Sequence, residues 1–450
     1  MRPVLKAGLR RLWRPGGALQ VGVTPGRSLL LNGLGPAATR FVGALDGTRD
    51  VPGLLAHAEG LGLPGAQATT LLDVLMRAGF LDDAGYDPGP ALRALDPAES
   101  DRLAPDLAAL ALGYLVPGGA VRAMTRRRMA VVTVYGCGRV GASIAHLLAA
   151  AGVGCVVPVD AGRARAADAA PAGFRNPQAP SHRDAREVPG PRRVRAGVRA
   201  EGVRAAGARA EGVRVEGVPV AGVEVSPPGK TPSSADPGSR PADNPADNPG
   251  DNTASASHSP SEEGPGSGPR RQDLVRALIR TAAPATRTTL PANRQHPDLA
   301  VLAPVADGYP AQAATLHAAG VPHLSAEVHE TTGVLGPFVQ PGRTSCLRCR
   351  DLYRTARDPG WPRAMVPFGG VDAVPAGADR ACDVLLASQI ALLAAMHVLA
   401  FVEGDPPPTV NAAIEVVPPF GVQTRHERPP HPDCGCGTQD AVLPVPLVHS

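Results

Sequence analysis

Between Met129 and Asp160 the chain reads "MAVVTVYGCGRVGASIAHLLAAAGVGCVVPVD", and this stretch constrains the fold more than any other. An apolar run, a glycine turn, an alanine-rich helical segment and a second apolar run predict one βαβ unit. Parallel strands cannot be joined by a tight hairpin, so the unit commits the chain to a sheet with a helix across its face. Gly136, Gly138 and Gly141 fall in the pattern Gly-x-Gly-x-x-Gly directly after the first strand. There the first glycine permits the tight turn, the second lets backbone approach a phosphate, and the third lets helix pack on strand. The helix N-terminus adds unpaired N–H groups and a partial positive charge. Asp160 ends the second strand, where a carboxylate can accept from a ribose hydroxyl. Together these predict a nucleotide-type site on Gly136, Gly138, Gly141 and Asp160, although the same glycines also serve a turn that binds nothing.

Downstream, "RQDLVRALIRTA" (271–282) reads as a helix and "DLAVLAPVAD" (298–307) as a buried strand. "GYPAQAATLHAAG" reads as a further helix, and "VPHLSAEVHETTGVLGPFVQPG" as two strands. Strands alternating with helices continue the parallel sheet begun near residue 130. "VLLASQIALLAAMHVLAFV" (384–402) is long enough to span a bilayer. It carries Ser388, Gln389 and His397 and sits deep in the chain, which favours a buried core helix and no membrane partner.

Gly 52 and Pro 50 exceed a fifth of the 450 residues, and much of that excess lies between about 174 and 270. Glycines at 197, 202, 207, 212, 217 and 222 set a five-residue period, followed by "PADNPADNPGDN" (241–252). Only valine and alanine recur beside each glycine, too little apolar surface for stacking. A disordered insertion over 175–270, within the sheet domain, is the expectation; a five-residue β-solenoid is the alternative.

Residues 1–95 read as a separate unit. "ALQVGV" and "SLLLNGL" (18–23, 28–34) form a β-pair turned by Thr24–Arg27, followed by helical patterns in "PAATRFVGAL", "VPGLLAHAEGLG" and "QATTLLDVLMRAGFLDD". That order suggests a winged helix-turn-helix. Its third helix carries Arg77 against Asp73, Asp82 and Asp83, which argues against DNA and for a peptide, or for a packing role. Net charge is +4 on 45 basic and 41 acidic residues, too balanced to point to nucleic acid.

The basic start "MRPVLKAGLRRLWRPGG" has no apolar segment behind it, so seven cysteines read as reduced thiols of a cytoplasmic protein. Cys346-x-x-Cys349 and Cys434-x-Cys436 are two close pairs far apart in the chain. Four thiolates suit a structural zinc that staples the C-terminal segment to the sheet domain, with His431 able to replace one thiol. Cys137, Cys155 and Cys382 are isolated.

Glycine turn, Asp160, CxxC, apolar helix and final cysteine pair, in this order, resemble the ThiF/MoeB/HesA family of ubiquitin-activating-enzyme-like adenylyltransferases. "GVLGPFVQPGRTSCLRC", "RDPGWP" and "HPDCGC" resemble actinobacterial members with an N-terminal winged-helix peptide-recognition element, related to cyclodehydratase partner proteins of thiazole/oxazole peptide pathways. The likeness covers about 1–170 and 271–437. It implies an α/β fold: a winged helix over 1–95, a Rossmann-like domain over 125–437 and a zinc staple. It also implies ATP at Gly136, Gly138, Gly141 and Asp160, a peptide or small-protein substrate, a YcaO-type partner enzyme and a homodimer. Asp307 matches the family's magnesium-contacting aspartate, and Cys382 falls near its acyl-accepting thiol, although packing suits Cys382 too.

The family pattern after the first acid is Asp-x-Asp and then Asn-Leu-x-Arg, with the arginine steadying the triphosphate. Here "VDAGRARAADAAP" places Gly162, Asp168 and Pro171 at those positions, and proline cannot neutralise phosphate. Arg163 and Arg165 lie on another part of the loop. The expectation is a ThiF-like protein that binds the leader of a ribosomal peptide precursor and presents it to a partner, its own adenylation weak or lost. An active adenylyltransferase acting on a small protein's C-terminus is the second reading. A nicotinamide-dependent oxidoreductase, resting on the glycine turn alone, is the third.

Overall fold

A computed structural model describes residues 1–14, 18–24, 27–175, 268–304, 311–360, 381–418 and 421–436. Near the N-terminus β1 (Pro3–Leu5) pairs antiparallel with β5 (Leu81–Asp83). Between them β2 (Arg11–Arg14), β3 (Ala18–Val21) and β4 (Leu29–Leu31) form a three-stranded antiparallel sheet with β3 central. Leu19, Val21 and Leu31 point inward from it by strand alternation. They close on α1 (Pro36–Gly43), α2 (Val51–Gly60) and α3 (Gly65–Arg77) around fully buried Phe41, Leu54 and Leu75. Asp50 caps α2 by accepting from Gly53 N at 2.9 Å. The strands expected over 18–23 and 28–34 are present but shorter, while β1, β2 and β5 escaped the sequence reading.

Three helices that the sequence reading left unassigned follow: α4 (Gly89–Arg93), α5 (Pro97–Gly113) and α6 (Gly119–Met129). They lead into β6 (Val131–Tyr135), α7 (Arg139–Ala150) and β7 (Cys155–Val159), the predicted βαβ unit. After the segment outside the described residues, which includes the five-residue repeat, α8 (Arg271–Ala282) resumes the chain within the expected bounds. Then come β8 (Leu299–Leu302), α9 (Ala311–Ala318), β9 (His323–His329), β10 (Thr332–Val339) and α10 (Leu347–Arg357). The chain closes with α11 (Val384–Glu403), β11 (Ala412–Val417) and β12 (Val422–Glu427).

The main sheet has seven strands in the order β12-β11-β10-β9-β8-β6-β7. Strands β7, β6, β8 and β9 are parallel, as expected. The sheet is mixed, however: β10, β11 and β12 run antiparallel, because β9 and β10 are joined by a tight hairpin instead of a crossover. One helix among those described, α11, is long and apolar enough to cross a membrane. Its inner face, with Ile390, Ala394 and Val398 fully buried, packs on α7, β9 and β10, which is the work of a core helix.

Candidate functional site

The strand order reverses at β6, which has β7 on one side and β8 on the other. Ligands of open α/β sheets bind in the crevice at such a reversal, beyond the carboxyl ends of the strands. Gly136 lies there at φ +88°, and a Cβ on it would meet Ala303 O at 1.9 Å. A Cβ on Gly141 would meet Gly136 O at 1.8 Å, so close packing of α7 on β6 alone demands that glycine. Gly138 is the N-cap of α7, with no side-chain cap over the first helical N–H groups.

The structure brings Asp160 to the same turn and fixes it there. Its carboxylate accepts from Cys137 N at 2.8 Å and from Gly162 N at 2.7 Å. It also accepts from Arg271 Nε at 2.9 Å and Arg271 Nη2 at 3.1 Å. Arg271 opens α8 and was missed in the sequence, where 111 residues separate it from Asp160. Gly162 makes room for it: a Cβ there would meet Arg271 Nη2 at 2.0 Å. Asp168, buried, takes the loop amide of Arg165 at 2.9 Å and lies 3.5 Å from Arg271 Nη1.

Other cations beside the crevice are engaged as well. Arg139 donates to Ala167 O at 2.7 Å and Cys382 O at 2.5 Å, and Arg163 donates to Gly268 O. Cys382 precedes α11, and burial pushes its thiol pKa up despite Arg139, the reverse of an activated thiolate. Burial, then Asp160, pushes the Cys137 thiol up too. Asp307 lies outside the described residues, so its expected place after β8 carries no geometry.

On the other side of β8, the cysteine pairs converge. Cys346 Sγ lies 3.4 Å from Cys434 Sγ and 3.8 Å from Cys349 Sγ, and Cys349 Sγ lies 3.3 Å from Cys436 Sγ. All four sulfurs fall within 4.8 Å of one another. A tetrahedron of thiolates about 2.3 Å from zinc has edges of about 3.8 Å, so the donor set and its size fit a metal such as zinc. Such a metal would hold α10 to the 431–436 segment. His431 is not among the clustered ligand atoms: its Nδ1 accepts from Asp433 N at 3.1 Å, while its backbone N–H reaches Cys349 Sγ at 3.3 Å.

A buried polar group beside this cluster also went unread in the sequence. Glu327 on β9 accepts from Arg350 Nη1 at 2.8 Å, from His329 Nε2 at 2.7 Å and from the Ser325 hydroxyl. Burial opposes its ionisation, but Arg350 and these hydrogen bonds outweigh burial and hold its pKa below the usual carboxylate range. Because Arg350 follows Cys349, the pair anchors the cysteine helix to the sheet.

No family model matches the sequence, and no curated protein does. Solved structures do match. E. coli MccB with AMPCPP and MccA is 12% identical, with TM-score 0.56, over 98% of this chain and 100% of that one. The microcin C7 biosynthetic enzyme MccB in complex with N-formylated MccA is 13% identical, with TM-score 0.54, over 97% and 100%. PaaA is 12% identical, with TM-score 0.53, over 94% and 98%. At these identities the likeness is one of fold.

Proposed function

We propose that this protein is a ThiF-like, winged-helix-bearing protein that binds the leader of a ribosomal peptide precursor and presents it for modification, with adenylation weak or lost. The observation that carries the reading is a groove of about 480 Å³ lined by the residues that follow the edge strand β4 and by the start of α3. Leu34, Pro36, Leu63, Pro64, Gln67 and Leu71 line it. An extended peptide added along β4 would gain main-chain hydrogen bonds from the edge and seat alternate apolar side chains in the groove. The fold shared with MccB, solved with MccA, supports a peptide substrate. The four thiols would hold zinc, whose part is to brace the domain. A YcaO-type partner enzyme and a homodimer fit this reading.

The test is selection from a displayed library of random peptides on the full chain. Extended apolar peptides should be enriched, and Leu34→Glu or Leu71→Glu, in protein that remains folded, should abolish capture. Enrichment that persists in both variants would move the peptide site elsewhere. The losses at Gly162 and Pro171 favour this reading over an active adenylyltransferase acting on a small protein's C-terminus.

A further inference from the structure

An ionised carboxylate offers about four lone-pair sites. Around Asp160 four donors converge: two backbone amides and two nitrogens of the Arg271 fork. A ribose diol needs two of those sites, and none is open. The pair is also sheltered, with side chains 7% exposed for Asp160 and 13% for Arg271. Burial of this kind makes a bidentate pair persistent in geometry, since water cannot replace either partner.

The arginine is held from outside the pair as well. Arg271 N donates to Gly162 O at 2.9 Å, and Ala164 N donates to Pro269 O at 2.9 Å. Arg271 Nη1 donates to Arg163 O at 3.1 Å. The strand-like pairing of 163 with 270 therefore lays residues 268–271 along the loop that follows Asp160. Gly162 completes the fit, because any side chain there would collide with the guanidinium.

We propose that Arg271 is a built-in occupant of the nucleotide crevice, taking the Asp160 carboxylate that a ribose diol would otherwise use. The intact protein then binds adenine nucleotides poorly, and displacing the guanidinium creates a site for them. This rests on reading the crevice as a nucleotide site closed in this chain, and it is independent of whether the β4 groove takes a peptide.

The experiment is calorimetric titration of the full-length protein with ATP, and with 2′,3′-dideoxy-ATP as the probe lacking the diol. Arg271→Met keeps the stem and removes the fork. Gly162→Ala keeps the arginine and pushes it off Asp160, which covers the case in which Arg271→Met fails to fold. Either variant should bind ATP at least ten-fold more tightly than the wild type, with no such gain for the dideoxy analogue and none when Asp160→Asn is added. Tight ATP binding by the wild type that Arg271→Met weakens would overturn the proposal and make Arg271 a phosphate ligand. Folded variants that bind no better than the wild type would overturn it too. Peptide capture by the same preparations is scored separately, so failure of the peptide reading is distinguishable from failure of this one.

Discussion

Cys349 and Cys436 stand 87 residues apart in sequence, yet their sulfurs lie 3.3 Å apart, at the edge of a four-thiol cluster. A thiolate-binding metal there joins α10 to the C-terminal 3₁₀ turn Pro432–Cys434, neither of which buries a large core of its own. Elemental analysis of purified protein should find about one zinc per chain, and Cys346→Ser should lose both the metal and much of the stability. Zinc that survives in a Cys434→Ser/Cys436→Ser double variant would show that other ligands hold it.

Arg127 on α6 and Glu403 at the end of α11 form a second long-range tie, Nε to Oε1 at 2.6 Å, with side chains 9% and 10% exposed. Tyr114 O–H donates to the same carboxylate at 3.0 Å, and burial, then Glu403, raises its pKa to about 12. Removing the arginine strands a buried charge, so Arg127→Met should cost about 3 kcal/mol in urea unfolding. Arg127→Met/Glu403→Gln should recover most of that loss, because neither charge is then left unpaired.

His323 gives the fold an acid limit. Burial lowers its pKa from 6.5 to about 4, with His317 nearby adding to the shift, while its Nδ1 meets Val321 O at 2.9 Å. Between those values the unfolded chain binds a proton that the folded chain refuses. Stability from this group is therefore whole above pH 6.5 and falls as pH drops towards 4, by about 3 kcal/mol in all. His323→Asn keeps a donor for Val321 O and removes the titration. Its unfolding free energy should change less over this window than that of the wild type, both measured with metal saturating. Equal slopes would place the acid sensitivity in other groups.

What the sequence made legible was local or strongly patterned. The βαβ unit at 131–159 and the helix at 271–282 show through because their apolar periods run unbroken between clear turns. The cysteine pairs showed through because spacing within each pair fixes a shared geometry. The hairpin β11–β12 did not, because "VQTRHE" faces solvent on both sides and carries no alternation to read. Arg271 stayed hidden for a different reason. Nothing in "RRQDLV" distinguishes an arginine that returns to a carboxylate across the whole insertion from one on a solvated helix face. Glu327 and Arg350 were hidden likewise, since a buried ion pair is invisible until the fold brings its halves together.

ATP–pyrophosphate exchange on the zinc-loaded full chain, with and without a captured peptide, decides whether this is a precursor-binding protein whose adenylation is weak or lost. An adenylating site must neutralise the charge that develops as pyrophosphate leaves, and loss of an arginine from such a clamp costs on the order of 10³-fold or more in rate. Where the ThiF-like pattern that this sequence resembles has that arginine and a second acid, this chain has Pro171 and Gly162, and Arg139, Arg163 and Arg271 are held by protein oxygens. A precursor-binding role without adenylation requires exchange indistinguishable from a no-enzyme control under both conditions. Robust exchange that disappears in Asp160→Ala or Asp307→Ala would contradict it and establish an active adenylyltransferase.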